Sequence, residues 1–119
     1  MAEHNELGKK GEDLAVAYLI EKGFTIEKRN YRFNKAEVDI IALKDSILAI
    51  IEVKTRSSSD FGDPQEFVKS KQISNLVKAV DNYVNENDLE VEVRFDIIAI
   101  TLEKAKFNIE HLEDAFYHF

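Results

Sequence analysis

The chain contains no cysteine, one proline and four glycines. Without cysteine it can form no disulfide, no thiolate nucleophile and no cysteine-bound zinc site, which fits a reducing compartment. Its longest unbroken apolar run, residues 14–20, has seven residues, far fewer than the roughly 20 that a membrane-spanning helix needs. The first residues also lack a basic segment followed by an apolar stretch, so no signal peptide is indicated. We therefore expect a cytoplasmic protein that has no membrane partner.

The scarcity of histidine and glycine excludes further kinds of chemistry. The only histidines are His4, His111 and His118, so a catalytic triad or a histidine-rich metal site would require the two ends of the chain to meet. The four glycines form neither a phosphate-binding P-loop nor a GxGxxG dinucleotide-binding loop. Any chemistry must therefore come mainly from carboxylates, lysines and arginines.

The charge of the chain is unevenly distributed. Over 119 residues it carries 23 acidic and 16 basic side chains, a formal net charge of −7, whereas nucleic-acid-binding domains usually carry a basic surplus. Residues 1–78 hold 13 acidic and 13 basic side chains, while residues 79–119 hold 10 and 3. The acidity therefore excludes binding to nucleic acid by overall charge, but leaves salt-sensitive binding through one face of the first two thirds.

The apolar content of 45% is enough for one core, so we expect a single domain over residues 1–119. Hydrophobic periodicity and Gly/Pro signals predict a first helix, three strands, a loop, a second helix and a further strand. A short extra strand and a C-terminal helical turn follow. The predicted ranges are 6–22, 24–32, 37–43, 47–54, 55–66, 67–85, 91–100, 106–109 and 112–119. This order indicates an α/β protein with an αβββαβ core, about residues 6–101, a mixed sheet and a small tail, 102–119.

The predicted hairpin of strands 37–43 and 47–54 determines which charged residues meet. With an even number of residues in its turn, Asp39 faces Glu52 and Glu37 faces Lys54, whereas a three-residue turn would scatter them. Two carboxylates that face each other within apolar strands repel and are costly to bury. A Mg²⁺ ion relieves both costs, because it binds one or two carboxylates and keeps several waters. The alternative interpretation is an internal ion pair between Lys54 and one of the two acids.

Residues of the first helix allow two interpretations each. Glu12 lies at the margin of the apolar face, from where it can reach a metal through water, or it is a first-turn acid favoured by the helix dipole. The segment Gly8-Lys9-Lys10-Gly11 is similar to the backbone-clamping GxxG loop of KH domains. Only seven residues precede it, however, and the glycines would equally allow the helix to approach the sheet closely.

Basic residues elsewhere also have two interpretations. A run without intervening acids, interleaved with Tyr31 and Phe33, is either a strip that contacts phosphates or solvated charge at a strand edge. Its members are Lys28, Arg29, Arg32 and Lys35. Lys71 and Lys78 lie on one face of the second helix, most simply a solvated one. Lys71 would contact a phosphate if that end of the helix approaches the hairpin.

The pattern of Glu37-Val38-Asp39 followed by Glu52-Val53-Lys54 resembles the signature of the PD-(D/E)XK nuclease superfamily. Further motifs resemble one branch of it, the YraN family of endonuclease-like bacterial proteins, whose nearest characterised relatives are archaeal Holliday-junction resolvases. The resemblance covers about residues 8–101. Its motifs are Gly8-x-x-Gly11-Glu12, Asn30-Tyr31-Arg32, Glu52-Val53-Lys54-Thr55-Arg56, Phe61-Gly62-x-Pro64, Lys71 and Arg94-Phe95-Asp96.

The resemblance implies a restriction-endonuclease-like fold and a metal-dependent endonuclease that hydrolyses DNA, with branched or otherwise structured DNA as a candidate substrate. Asp39 and Glu52 would bind Mg²⁺ together with the backbone carbonyl of Val53, and Mn²⁺ would substitute for it. Lys54 would position or activate the attacking water, and Glu12 would support the metal through water. DNA contacts are expected at Lys9, Lys10, Arg29, Arg32, Arg56 and Lys71.

One departure from the family pattern supports a second hypothesis. Where the family usually has Gly-Glu-x-Asp, this chain has Ala36 before Glu37. Together with the acidic balance, this favours a non-catalytic nucleic-acid-binding or adaptor module that retains the nuclease fold. The acidic residues 79–119 support a third hypothesis, a protein-interaction domain. Nothing in the sequence decides between a monomer and a homodimer.

Overall fold

Two helices and five strands form the fold, in the order αβββαββ. The computed structural model describes residues 2–57 and 70–115. The elements are α1 (Ala2–Glu21), β1 (Thr25–Phe33), β2 (Ala36–Lys44), β3 (Ile47–Arg56), α2 (Ser70–Glu86), β4 (Glu92–Glu103) and β5 (Lys106–Leu112). Within these described ranges, no helix is both long and apolar enough to cross a membrane.

The five strands form one mixed sheet in which spatial order follows chain order. β1, β2 and β3 are antiparallel neighbours, β3 and β4 are parallel, and β5 is antiparallel to β4. A parallel pair requires a crossover connection, and the chain between β3 and β4 contains α2. The predicted α/β class, with a restriction-endonuclease-like mixed sheet between helices, is therefore confirmed.

The two helices cover opposite faces of the sheet. On the central strand β3, Leu48 and Ile50 pack in the cluster that includes α2, whereas Ala49 and Ile51 pack in the cluster that includes α1. Successive side chains of a strand point to opposite faces. The nearly continuous apolar sequence of β3 therefore arises because both of its faces are buried.

The C-terminal strands are longer than the sequence predicted. β4 continues to Glu103, and β5 runs from Lys106 to Leu112 rather than over 106–109. Every residue of β5 has a partner on β4, from Lys106 opposite Glu103 to Leu112 opposite Ile97, and these cross-strand pairs extend both elements. Residues 102–112 therefore belong to the sheet and not to a tail, and Leu112 is not in a helical turn.

The other boundaries agree to within a few residues. The predicted loop over 55–66 begins later, because Thr55 and Arg56 continue β3. The rest of that loop from residue 58, the predicted helix start at 67–69 and residues 116–119 of the predicted C-terminal turn lie outside the described residues.

A buried polar network connects β4 to β5 and to α1. Asp96 is fully buried, and Arg94 donates to both of its carboxylate oxygens, over 3.0 Å each. His111 Nε2 lies 2.8 Å from Oδ2, and the backbone N–H of Asp114 donates to Oδ1 over 3.0 Å. When Nε2 carries the proton, Nδ1 of the same ring accepts from the hydroxyl of Tyr18 on α1, 3.1 Å away.

The carboxyl of Asp96 stays ionised because of these partners. Burial alone would raise its pKa, but the hydrogen bonds from His111, Arg94 and the backbone of Asp114 outweigh burial, and the pKa is lowered. A buried charge with this many donors holds its neighbours in place. The network therefore gives the Arg94-Phe95-Asp96 motif a structural role.

Asp96→Asn should lower the free energy of unfolding at pH 7 by about 3–5 kcal/mol, because it removes the buried anion and leaves Arg94 only the exposed Glu113 as a partner, 3.5 Å away. The stability that this carboxylate contributes is present above its unfolded pKa of 3.8 and is lost as the pH falls below it. The difference in unfolding free energy between the wild type and Asp96→Asn should therefore become smaller in acid. Urea denaturation measures it. The control is Arg32→Gln, which breaks an exposed 2.9 Å pair with Glu37 worth at most about 1 kcal/mol; equal losses would contradict the assignment.

Candidate functional site

The hairpin of β2 and β3 opens at the acidic residues that the sequence singled out. The strands pair in the predicted even-numbered register, from Lys44 opposite Ile47 to Ile40 opposite Ile51. Along the described length of both strands, this pairing ends one step before Asp39 and Glu52. In its place, Oδ2 of Asp39 accepts a hydrogen bond from the backbone N–H of Val53 over 2.8 Å. We call this point, formed by Asp39, Glu52 and Val53, the fork.

The backbone is irregular on the other side of Asp39 as well. Val38 packs on the α2 face and Ile40 on the α1 face, although residues two apart in a regular strand share a face. The alternation is therefore broken at Asp39. On β1, Asn30 has a left-handed φ of 53°, a conformation that asparagine tolerates better than most residues. Irregular backbone thus crosses the sheet from Asn30 to the fork.

Hydrogen bonds from β1 orient the side chain of Glu12 on α1. Arg29 donates from Nε and Nη2 to Oε1 of Glu12 over 3.2 and 2.9 Å, and Nδ2 of Asn30 donates to the same oxygen over 3.2 Å. Arg29 Nη2 also binds Oδ1 of Asp13 over 2.7 Å, and the hydrogen bonds to Asp13 and Glu12 raise the pKa of Arg29. Within the part of the chain that the structure describes, all hydrogen bonds to Glu12 end on Oε1. Its Oε2 is therefore available to water or to an ion.

A close contact at Gly11 brings α1 against β3. A Cβ atom on Gly11 would overlap Oγ1 of Thr55 and would lie 2.9 Å from Cγ2 and 3.0 Å from Cβ of that side chain. Because three atoms of Thr55 are involved, rotation about χ1 cannot relieve the clash. Gly11 precedes Glu12 and Thr55 follows Lys54, so the contact holds the two charged positions close together.

The same contact decides between the interpretations of the first-helix glycines. Residues 8–11 are helical within α1, so the similarity to a KH loop is wrong, since that loop connects two elements. Close approach to the sheet explains Gly11. It does not explain Gly8, because a Cβ atom there would meet nothing within 4 Å.

Glu52 and Lys54 lie on the α2 side of β3, because Ile51 and Val53 pack on the α1 side. Glu52 is only 7% exposed, and the Nζ of Lys54 lies 3.8 Å from its Oε2. At this distance the two groups form an ion pair, but the separation exceeds the usual length of a hydrogen bond. The internal ion pair that the sequence allowed is therefore present. Lys54 nevertheless remains 25% exposed and can reach solvent beside the fork.

Several charges act on Asp39. Burial, the largest cause, raises its pKa, and the negative charges of Glu12 and Glu37 raise it further. The hydrogen bond from Val53 and the positive charge of Lys54 oppose these effects, and the resulting pKa is about 6. Glu12, Asp39, Glu37 and Lys54 are therefore brought together. A cation next to Asp39 would relieve both the burial cost and the repulsion.

The oxygen atoms around the fork suit a small, hard cation. The N–H and C=O groups of one strand residue leave on the same side, so the carbonyl of Val53, like its N–H, points towards Asp39. Oδ1 of Asp39 and Oε2 of Glu12 accept no hydrogen bond within residues 2–57 and 70–115. No three acidic or histidine side chains in these ranges form a ready-made metal cluster. An ion bound at the fork would therefore have few protein ligands, which is the kind of site that Mg²⁺ accepts, because it takes one or two carboxylates and retains waters.

Comparison with known proteins identifies the family. A profile of the uncharacterised protein family UPF0102 matches residues 11–100. The chain belongs to this family. UPF0102 proteins of Flavobacterium psychrophilum and Christiangramia forsetii are each 63% identical to it over 119 residues, the whole of both chains. One from Bacteroides thetaiotaomicron is 50% identical over 117 residues, 98% of this chain and 97% of the relative. Membership of the YraN family is thereby confirmed, and its wider relation to nucleases stays a prediction.

In this UPF0102 protein, the residues predicted to contact DNA have different surroundings. Arg29 is engaged by two carboxylates of α1, and Arg32 forms an exposed pair with Glu37. Lys10 Nζ lies 5.7 Å from the centre of the Phe107 ring, and Lys9 is exposed. Arg29 therefore orients Glu12 directly.

The last two predicted DNA contacts are Arg56 and Lys71. Arg56 is half-buried at the end of β3. Lys71 is in the first turn of α2, but its side chain lies outside the described residues. The motif around Phe61 and Pro64 also lies outside them.

Sequence reasoning missed Asn30 as a residue that positions Glu12. Two features of the sequence could have identified it: its place in the Asn30-Tyr31-Arg32 motif and the tolerance of asparagine for left-handed backbone. The partnership of Arg29 with Glu12 gave no local signal, because 17 residues separate them.

Gly11→Ala should destabilise the protein by about 1–3 kcal/mol, because the added methyl group clashes with Thr55 and forces α1 away from β3. Gly8→Ala is the matched control in the same helix. It should be neutral or stabilising by up to about 1 kcal/mol, because alanine favours helix and the position is open. Thermal or urea unfolding of both variants measures the effect, and a similar response at the two positions would contradict the close contact.

Asp39→Asn should stabilise the metal-free protein at neutral pH, since the amide oxygen still accepts from Val53 but no charge is buried near Glu12. Folding raises the pKa of Asp39 from 3.8 to about 6. The stability it contributes is therefore fully present below pH 3.8 and lost as the pH rises through 6. We expect the variant to gain up to about 3 kcal/mol over the wild type between pH 4 and pH 8 in EDTA. A pH-independent difference in urea denaturation would contradict this.

Proposed function

We propose that this protein is a Mg²⁺-dependent endonuclease that hydrolyses phosphodiester bonds in DNA, with branched or otherwise structured DNA as the substrate. The observation that supports this most is the fork, where the half-buried carboxyl of Asp39 accepts the backbone N–H of Val53, the residue that follows the buried Glu52. Perturbed carboxylates at an irregular point of a sheet are typical of functional sites, because their arrangement costs stability.

The residues that would hold Mg²⁺ are Asp39, Glu52 and the carbonyl of Val53, with Glu12 acting through a water. Mn²⁺ prefers the same oxygen ligands and would substitute. Bound there, the ion supplies Lewis acidity to a phosphate oxygen and lowers the pKa of a bound water.

The protein's own side chains orient the reactants. Lys54 is partly exposed beside Glu52, where its ammonium group can hold the attacking water or stabilise negative charge that develops on the phosphate. Arg29 and Asn30 fix one oxygen of Glu12, so that the other faces away from them. The water attacks phosphorus as the bond to the leaving oxygen breaks.

The charge distribution is compatible with this function. Residues 1–78, which contain the fork, are electrically neutral, and the acidic surplus lies in residues 79–119. One of those acids, Asp96, is buried and paired with Arg94, so its charge does not act on a ligand at the surface. We infer modest, salt-sensitive binding from the face that carries the fork. We further propose that the protein acts on DNA in the cytoplasm.

Purified protein with Mg²⁺ should cleave at least one of three substrates: linear duplex, single-stranded and branched DNA. EDTA should abolish cleavage, and Asp39→Ala and Lys54→Ala should each reduce the rate by about 100-fold or more, because each removes a group that stabilises the transition state. The control is Lys22→Ala, which removes one positive charge at the far end of α1. Cleavage of none of the substrates, or cleavage unchanged by Asp39→Ala, would refute the catalytic proposal.

A non-catalytic DNA-binding or adaptor module is the second candidate, supported by the Lys54–Glu52 ion pair, which already balances two of the charges without a metal. Ala36 gives this second candidate little support. Its methyl group packs within the core at 7% exposure, so the side chain has a structural role. Calorimetric titration with Mg²⁺ separates the two. A divalent site that disappears in Asp39→Ala supports the nuclease, whereas DNA binding without any such site supports the module.

A further inference from the structure

A cavity of about 430 Å³ lies between the β1–β2 turn and α2. Its lining residues are Phe33, Asn34, Lys35, Asn75 and Lys78. The volume falls within the range of small-molecule sites, about 300–1,000 Å³. The lining described here combines an aromatic ring, two amides and two cations, and contains no acid.

The two lysines of this cavity differ from most cations near the fork. Arg29, Arg32 and Lys54 are each paired with carboxylates. Lys35 and Lys78 are exposed, and neither has an ion pair or hydrogen bond with any residue in the described ranges 2–57 and 70–115. As far as the described part of the chain is concerned, their positive charges are therefore available to an anionic ligand.

The apolar part of the cavity is also partly open. Phe33 packs against the α2-side core but is only half-buried, so part of its ring is accessible from the cavity. Asn34 follows with a left-handed φ of 55° in a turn of only two residues between β1 and β2. A two-residue turn between paired strands sets the course of the backbone, so the backbone positions of Phe33 and Lys35 are set by the hairpin itself.

The position of the cavity relates it to the fork. Phe33 packs on the α2 face of the sheet, the face to which Glu52 and Lys54 also project. Lys35 precedes Asp39 by four residues along the chain, about 13 Å of strand at 3.3 Å per residue. A DNA strand advances about 3.4 Å per nucleotide in a duplex. A strand bound at the fork therefore reaches the cavity within about four nucleotides.

We propose that this cavity binds one nucleotide of the DNA strand, within about four nucleotides of the one at the fork, with its base stacked on Phe33 and its phosphates contacted by Lys35 and Lys78. The amides of Asn34 and Asn75 offer both donors and acceptors to the base edge. Stacking on an aromatic ring accepts any base, so the cavity selects an unpaired nucleotide rather than a sequence. This inference rests on the proposed function for the identity of the ligand and goes beyond it in naming the second contact.

The test measures binding separately from cleavage, with a fluorescein-labelled single-stranded 12-mer in EDTA, followed by anisotropy. Lys35→Ala combined with Lys78→Ala should weaken binding by about tenfold or more and reduce the slope of log K against log salt by about 1.4. Phe33→Leu keeps an apolar side chain in the core contact and should weaken binding at least about fivefold. The matched control, Lys22→Ala combined with Lys106→Ala, removes the same charge away from the cavity and should change binding less than twofold.

A direct readout comes from Phe33→Trp, since the chain has no tryptophan of its own. Its fluorescence should be quenched on addition of the unlabelled 12-mer if a base stacks on this position. Cavity variants that bind as tightly as the control, or an unquenched Phe33→Trp that still binds DNA, would overturn the inference while leaving wild-type cleavage as support for the nuclease. Binding that depends on the cavity in a protein that cleaves nothing would support the inference and refute the nuclease.

Discussion

The hydrogen bond from the backbone N–H of Val53 to the carboxylate of Asp39 occupies a place where the β2–β3 ladder would otherwise continue. A side chain that replaces a carbonyl as acceptor lets two antiparallel strands separate while the N–H group stays satisfied. The carbonyl of Val53 is then left facing the gap beside a carboxylate. The proposed metal site depends on that substitution, since in a regular ladder the carbonyl of Val53 would accept a hydrogen bond from β2.

Two aspartates, Asp96 fully buried and Asp39 half-buried, show how surroundings set the role of a residue. Asp96 and Asp39 lie on strands on either side of β3, but their pKa values shift in opposite directions. Asp96 accepts hydrogen bonds from two cationic or polar side chains and a backbone N–H, and it joins β4 to β5. Asp39 accepts one bond from the backbone and lies near Glu12. The first arrangement stabilises the fold, while the second stores repulsion that a ligand can relieve.

The fold class and the pairing of β2 with β3 were predictable because they depend on short-range patterns. Apolar runs of β2 and β3 identified a doubly covered hairpin, and the observed register is that of the even-numbered turn, one of the two alternatives that the sequence allowed. Partners distant in sequence were not predictable: Arg29 and Glu12 meet only because α1 crosses β1. The even-numbered turn also predicted Glu37 opposite Lys54. In the structure Glu37 pairs with Arg32 on β1 instead, because the pairing of β2 with β3 ends before Glu37 is reached. The roles of Gly8 and Gly11 differ only through Thr55, which no local pattern reveals.

The donation of the Val53 amide proton to a carboxylate has a consequence for spectroscopy. An amide bonded to an ionised acceptor forms a shorter and stronger hydrogen bond than one bonded to a carbonyl, and the chemical shift of its proton follows the charge of that acceptor. This single backbone resonance therefore reports the ionisation of Asp39 without any label. Its hydrogen-exchange rate likewise reports how often the end of the hairpin opens. One backbone N–H group therefore reports both the ionisation of Asp39 and the opening of the hairpin end.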